Sequence, residues 1–163
     1  MDVRGLEAIV FDFDGVLTDN RVYFNQHGEE MVVCSRADGL AFEALRRLPL
    51  KLFILSTEAN PVVRARGQKL QVPVVQGLRD KYAALVELAA QEGFQLAHTL
   101  YVGNDLNDLK AMKACGLSAC PADGHATVLA AATFRLRTSG GAGVVRELLE
   151  EILEVDVLKV LES

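Results

Sequence analysis

The chain has 163 residues, the length of one ordinary domain. Half of them are hydrophobic and a quarter are charged, a balance that excludes disordered and fibrous classes. Seventeen Lys and Arg stand against 22 Asp and Glu, giving a net charge of −5, which argues against a mainly electrostatic grip on nucleic acid or anionic lipid. The three cysteines, Cys34, Cys115 and Cys120, form no Cys-x-x-Cys pair, so neither a disulfide framework nor a zinc site is indicated. No apolar run reaches the ~20 residues of a membrane span, and the first residues lack the apolar core of a signal peptide. A cytoplasmic protein with reduced thiols is expected.

Along the chain, short apolar runs alternate with helical patterns. Ala8–Phe11 reads as a buried strand. Arg21–Asn25 and Glu30–Cys34 flank Gln26–Glu29 as a β-hairpin. A helix is expected over Ala37–Arg47, a strand over Leu50–Leu55, and a helix over Pro61–Leu70 with Pro in its first turn. Val72–Val75 reads as a short strand, Asp80–Glu92 as an amphipathic helix stopped by Gly93, and Thr99–Val102 as a strand. A helix over Leu106–Ala114 stops at Gly116. Leu117–Cys120 and Thr133–Leu136 are strands around a helix at Ala126–Ala131, and Gly143–Leu153 is the last helix before a short apolar tail. Strands alternating with helices at this spacing predict an α/β fold, a parallel sheet with helices on both faces. No linker or repeat interrupts it, so 1–163 is expected to be a single domain. Ligands of such sheets bind beyond the carboxyl ends of the strands, so polar residues just after strands matter most.

Four segments meet that condition. Asp12 and Asp14 follow the first strand with Gly15 beside them. Two carboxylates aimed at one spot repel unless a cation or a shared proton lies between them, and Mg²⁺ with oxygen ligands meets that need. A solvated acidic turn is the alternative, with Gly15 supplying the bend. Ser56, Thr57 and Glu58 follow the strand ending at Leu55. A hydroxyl there, near free backbone N–H groups, either holds a phosphate oxygen or caps a helix. Lys81 opens a helix, where a cation opposes the dipole by a few tenths of a kcal/mol, about 0.3, unless an anion lies nearby. A solvated lysine is the simpler account. Gly103-Asn104-Asp105-Leu106-Asn107-Asp108 follows another strand. One such side chain is enough for a cap, and four exceed that need and suit the surroundings of a metal.

Taken in order, strand–Asp-x-Asp-Gly-Val-x-Thr, strand–Ser/Thr, helix–Lys and strand–Gly-Asn-Asp-x-x-Asp, the chain resembles the haloacid dehalogenase superfamily of phosphohydrolases. The string Asp12–Asp19 and the short hairpin after it are similar to the capless branch. That branch holds 3-deoxy-octulosonate 8-phosphate phosphatases, nonulosonate 9-phosphate phosphatases and the C-terminal domains of acylneuraminate cytidylyltransferases. Leu55–Pro61 and Arg66–Leu70 look most like the nonulosonate members. The resemblance implies a Rossmann-like, capless sheet with a hairpin flap at about 20–35. It implies Asp12 as nucleophile, Asp14 as general acid and base, and Ser56 and Lys81 as holders of the phosphoryl oxygens. Mg²⁺ would sit among Asp12, Asp14 and Asn104, with Asp108 organising a metal-bound water. Asn104 stands where the family carries a metal-binding aspartate. Thr57, Glu58, Arg66, Lys69 and Arg146 are expected to bind substrate, Arg146 as part of a Gly-Gly-x-Gly-x-x-Arg segment. The implied substrate is a phosphorylated 2-keto-3-deoxy sugar acid, a nonulosonate 9-phosphate or octulosonate 8-phosphate. The implied assembly is a homotetramer built through the hairpins. A non-catalytic oligomerisation module associated with acylneuraminate cytidylyltransferase activity is the alternative, and a phosphatase for nucleotides a third. His27, His98 and His125 show no ligand spacing and are expected on surfaces or loops.

Overall fold

A computed structural model describes residues 5–163. The strands are β1 (Ala8–Phe11), β2 (Tyr23–Phe24), β3 (Glu30–Met31), β4 (Lys51–Leu55), β5 (Val74–Val75), β6 (Thr99–Val102), β7 (Leu117–Cys120) and β8 (Phe134–Arg135). The α-helices are α1 (Arg36–Leu45), α2 (Pro61–Leu70), α3 (Lys81–Glu92), α4 (Leu109–Ala114), α5 (Ala126–Ala131), α6 (Val144–Glu147) and α7 (Val157–Glu162).

Six strands form one parallel sheet in the order β5-β4-β1-β6-β7-β8. All four residues of β1 are buried, as a strand covered on both faces requires. Its side chains alternate. Ile9 and Phe11 join Phe42 and Leu45 of α1, Val63 of α2 and Val144 and Val145 of α6 in one core. Phe11 and Phe42 meet edge to face at 5.0 Å between ring centroids. Ala8 and Val10 face the other way and join Leu85 of α3, Met112 of α4 and Val128 of α5. The next sheet strand after β1 goes to one side of it and β6 goes to the other. The order therefore reverses at β1, and a crevice opens at the carboxyl ends of β4, β1 and β6.

Local chemistry sets the helix ends. The Ser35, Asn60 and Asp80 side chains accept from Ala37, Val62 and Ala83 N–H to start α1, α2 and α3. Gly93 ends α3 in the left-handed conformation at φ 68°. Among the described residues no helix is long and apolar enough to cross a membrane.

Several elements differ from the sequence pattern. The hairpin ladder is only two residues a side, Tyr23 with Met31 and Phe24 with Glu30, plus a bridge between Thr18 and Cys34. Asn25 builds the turn: its Oδ1 accepts from His27 and Glu29 N–H, and its own N–H donates to Glu29 O at 3.2 Å. The last helix is α only over four residues and continues as a π-helical turn at Leu148–Ile152. The apolar tail is not a tail but α7, capped by Asp156 and packed on the α1 side of the sheet. Residues 106–108 form turns before α4 rather than helix, because the Asp108 carboxylate is bound to the backbone behind it.

Candidate active site

Asp12 leaves β1, Ser56 leaves β4 and Asn104 follows β6 by two residues. Parallel pairing in register aligns the carboxyl ends of these three neighbouring strands, so residues 44–92 positions apart in sequence meet at one edge. Asp12, Ser56, Lys81, Asn104 and Asp108 are all buried, and Asp14 is half-buried.

Lys81 organises the floor. Its Nζ lies 2.6 Å from Asp12 Oδ1 and 2.7 Å from Asp108 Oδ1. An ammonium has three donors, so these two contacts leave one unused. This also explains a cation at the first position of α3, since two carboxylates outweigh a few tenths of a kcal/mol, about 0.3, of adverse dipole. Burial opposes the charge on Lys81, but Asp12 and Asp108 outweigh it and raise its pKa. Burial, then the charge of Asp108, pushes Asp12 well above the carboxylate range, against the opposing pull of Lys81 and the Phe13 N–H. The lysine stays charged, because both carboxylates contact it directly.

Asp108 is more heavily engaged than its sequence position implies. Oδ1 accepts from Lys81 and from the Tyr101 hydroxyl at 3.0 Å. Oδ2 accepts from Asn104 N at 3.0 Å and Asp105 N at 3.2 Å. A carboxylate offers about four acceptor positions, and the protein fills them all. Asp108 therefore ties Lys81 to the Asn104 backbone. Gly103 lets this happen, since a Cβ there would sit 2.6 Å from Asp108 Cβ. Tyr101 was not among the sequence candidates. It lies inside an apolar strand, where an aromatic residue reads as core.

Opposite Lys81, three polar groups converge. The Asn104 amide ends 2.9 Å from the Asp14 carbonyl oxygen and 3.1 Å from Asp12 Oδ2. Turned nitrogen-inward, it donates to both. Turned oxygen-inward, it leaves three oxygens around one point with no donor between them, which a cation satisfies. An octahedral Mg²⁺ with ligands at 2.0–2.1 Å places neighbouring oxygens about 3.0 Å apart, so the spacing fits. Gly15, at φ 81°, closes this corner, and a Cβ on it would collide with the Asn104 amide. Among the described residues no group of three or more His, Cys, Asp and Glu is placed to hold a metal. This donor set is instead one carboxylate, one carbonyl and one amide, with a single formal charge.

Asp14 is half-buried, within reach of the charges of Glu58, Lys81 and Glu30. Burial, then the charge of Glu58, raises its pKa. A carboxyl that keeps its proton more readily than usual suits proton donation. Ser56 Oγ accepts from Glu58 N at 3.0 Å, which leaves its hydroxyl proton free to donate. Thr57 is exposed beside it. Glu58 is exposed and turns its carboxylate onto Ala59 and Asn60 N–H, at 2.7 and 3.0 Å.

The remaining sequence candidates lie in two further places. Arg66 donates to Ser35 O at 2.9 Å and, with Lys69, lines a cleft of about 350 Å³ beside Cys34, Arg36 and Arg46. Arg146 pairs with Glu150 at 2.9 Å at a separate cleft of about 410 Å³. Within this one chain, none of the three is hydrogen-bonded to Asp12, Asp14 or Lys81. Of the histidines, His98 pairs with Glu7 at 2.9 Å, and the His125 ring accepts from Thr127 N to start α5.

Comparison with known proteins agrees with this arrangement. A family profile described as haloacid dehalogenase-like hydrolase matches residues 55–148. The 3-deoxy-D-manno-octulosonate 8-phosphate phosphatase KdsC of Haemophilus influenzae is 32% identical over 153 residues, covering 93% of this chain and 85% of its own. A haloacid dehalogenase-family hydrolase from Streptomyces avermitilis superposes with a TM-score of 0.92 at 40% identity, over 96% of this chain and 90% of its own. The Moraxella catarrhalis 3-deoxy-D-manno-octulosonate 8-phosphate phosphatase, solved with magnesium, phosphate and KDO, gives 0.89 at 32%, over 93% and 88%. With the sheet, the switch-point crevice and these relatives in agreement, the chain belongs to the haloacid dehalogenase-like hydrolases, in their capless branch.

Proposed function

We propose that the chain is a Mg²⁺-dependent phosphoric monoester hydrolase for a phosphorylated 2-keto-3-deoxy sugar acid, a nonulosonate 9-phosphate or an octulosonate 8-phosphate. The observation that carries this is the buried Asp12–Lys81–Asp108 network beside three converging oxygens. An ion pair of this kind is costly to bury and weak evidence for stability, so its place at the switch point speaks for chemistry. The Moraxella relative's magnesium, phosphate and KDO support the metal and the substrate class.

Asp12 attacks phosphorus, and the bond to the sugar oxygen breaks as an aspartyl-phosphate forms. Asp14 gives its proton to the leaving sugar oxygen. Water then attacks phosphorus, Asp14 takes the water's proton, and Asp12 leaves as carboxylate. The free Nζ proton of Lys81 and the Ser56 hydroxyl donate to the phosphoryl oxygens, offsetting charge in the in-line transition state. Asp12, the Asp14 carbonyl and Asn104 would hold Mg²⁺, which would supply further charge neutralisation at the phosphoryl group.

Thr57, Glu58, Arg66, Lys69 and Arg146 are the proposed substrate contacts. Arg66 and Lys69 share their cleft with Arg36, Arg46 and Glu43, four cations to one carboxylate, a positive balance that suits a carboxylate ligand. Residues 1–163 act as one domain with a hairpin flap near 20–35, in the cytoplasm. Val22, Tyr23, Phe24, Met31 and Val33 of the hairpin are exposed, Phe24 by 68%, although a two-stranded hairpin is marginal alone. Packing against hairpins of further copies, as a homotetramer, would cover them and close the crevice to water.

The test is phosphate release from a panel of sugar-acid phosphates and nucleotides. Mg²⁺-dependent turnover of a sugar-acid phosphate, abolished by Asp12→Asn, is expected. No release at high Mg²⁺ would leave the second reading, a non-catalytic oligomerisation module. The neutral Asn104 in the metal set favours that reading. Sedimentation of a monomer at micromolar concentration would refute the tetramer.

A further inference from the structure

Asp38 sits in the first turn of α1, 1% exposed. Its Oδ1 accepts from the backbone N–H of Val145 at 2.8 Å and of Arg146 at 3.2 Å. These are orphan donors at the start of α6, which Gly143, with no side chain and φ 111°, cannot cap. The cap therefore comes from another helix, more than a hundred residues away. Its Oδ2 is buried without a partner, and so are the Nε atoms of Arg66 and Arg146, the two cations whose charges act on it. Burial pushes its pKa up to about 6.

The segment in front of α6 shows what the clamp holds. Gly141 N–H donates to Val16 O at 3.0 Å, and Gly140 N–H to Asp123 Oδ1 at 2.8 Å. A Cβ on Gly140 would run into the Gly15 carbonyl, and one on Gly141 would lie 2.5 Å from Asp19 N. The glycine segment thus lies directly on the backbone of Gly15–Asp19. That loop starts one residue after Asp14 and is folded on itself by Val16, Leu17 and Thr18 N–H donating to Phe13 O.

We propose that Asp38 is a positioning residue for the active site: by fastening the start of α6 it holds the glycine segment 139–143 against the loop that sets Asp14. The path is continuous: Asp38 Oδ1 to the Val145 and Arg146 amides, α6 to Gly141 and Gly140, and these to Gly15. Gly15 in turn follows Asp14 directly and packs against the Asn104 side chain. The same clamp fixes the backbone of Arg146. This inference rests on the phosphatase reading for its kinetic consequence and on geometry alone for its structural one.

The test compares Asp38→Ala with Asp38→Asn. Asn keeps the Oδ1 acceptor and is the conservative rescue. In Asp38→Ala, hydrogen exchange at Val145, Arg146, Gly140 and Gly141 should accelerate by about tenfold or more. Its kcat for p-nitrophenyl phosphate, per folded molecule, should fall by about tenfold, with KM held within about twofold. Asp38→Asn should restore exchange and kcat to within about threefold of the native chain. Unchanged exchange in Asp38→Ala overturns the clamp. Faster exchange with unchanged kcat overturns the positioning role and leaves a purely structural cap. Should Asp38→Ala not fold, Asp38→Asn still decides, since a loss of kcat of about tenfold with native exchange at these amides contradicts the proposal. If the native chain hydrolyses no phosphate ester, the phosphatase reading fails by itself, and amide exchange still decides whether the clamp exists.

Discussion

Replacing Asp108 by Asn tests the electrostatic floor of the site with little change of shape. The native carboxylate takes two donors on each oxygen, and it is 0% exposed. An amide offers one oxygen. If that oxygen keeps Lys81 and Tyr101, the new NH₂ faces the Asn104 and Asp105 N–H groups. If it turns, the NH₂ faces Lys81. Either way two hydrogen bonds to a charged acceptor are lost, each worth about 1.5–3 kcal/mol. Relief of the Asp108 charge that raises the Asp12 pKa returns part of this. The net loss should be about 3 kcal/mol, or a Tm lower by roughly 6–12 °C. Urea unfolding by circular dichroism gives the free energy, and phosphate release from the same samples gives the activity, which should fall with it. A change under about 1 kcal/mol, the scale of a solvated surface pair, would refute the buried-network argument.

The same geometry gives three further expected outcomes. Asn104→Asp places a second carboxylate about 3 Å from Asp12. It should lower Tm without Mg²⁺ and tighten Mg²⁺ binding by about tenfold in calorimetry, and unchanged affinity would exclude Asn104 from the metal set. Gly140→Ala should cost about 1–3 kcal/mol in urea unfolding, because backbone atoms of Gly15 and Thr18 cannot rotate away; a neutral substitution would show that the segment is not closely seated. Asp38 holds its proton to about pH 6 when folded, against an ordinary value of 3.8. Between those values the folded state binds more protons than the unfolded one, so this group's contribution falls as pH rises through that window, by roughly 3 kcal/mol at most. Asp38→Asn should flatten that part of the stability profile, and an identical slope in both proteins would show another group is responsible.

Much of the site was legible in the sequence, because the chemistry falls directly after strands. Asp12, Ser56 and Asn104 stand out as polar residues placed at the end of apolar runs, and parallel register then brings them together. Lys81 carried a weaker local signal, a cation at the wrong end of a helix dipole, and only Asp12 and Asp108 explain it. Tyr101, Asp38 and the seat of Gly140 carried no local signal. Tyr101 reads as core and Asp38 as an ordinary first-turn acid, while a glycine does not announce which backbone it must approach. Arg66, Lys69 and Arg146 are in the sequence pattern, yet this chain alone sets them in two clefts away from Asp12.

Alternation of strand and helix, and the polar residue types at the strand ends, are properties of a few neighbouring residues, so the order of amino acids was enough to specify them. Strand order, the grip of Lys81 on Asp12 and Asp108, and the cap that Asp38 of α1 supplies to α6 arise only in the folded molecule. Each of these joins groups far apart in the chain. Their energies come from burial and from the pairing of charges in a dry interior, and neither exists until the sheet has closed around them.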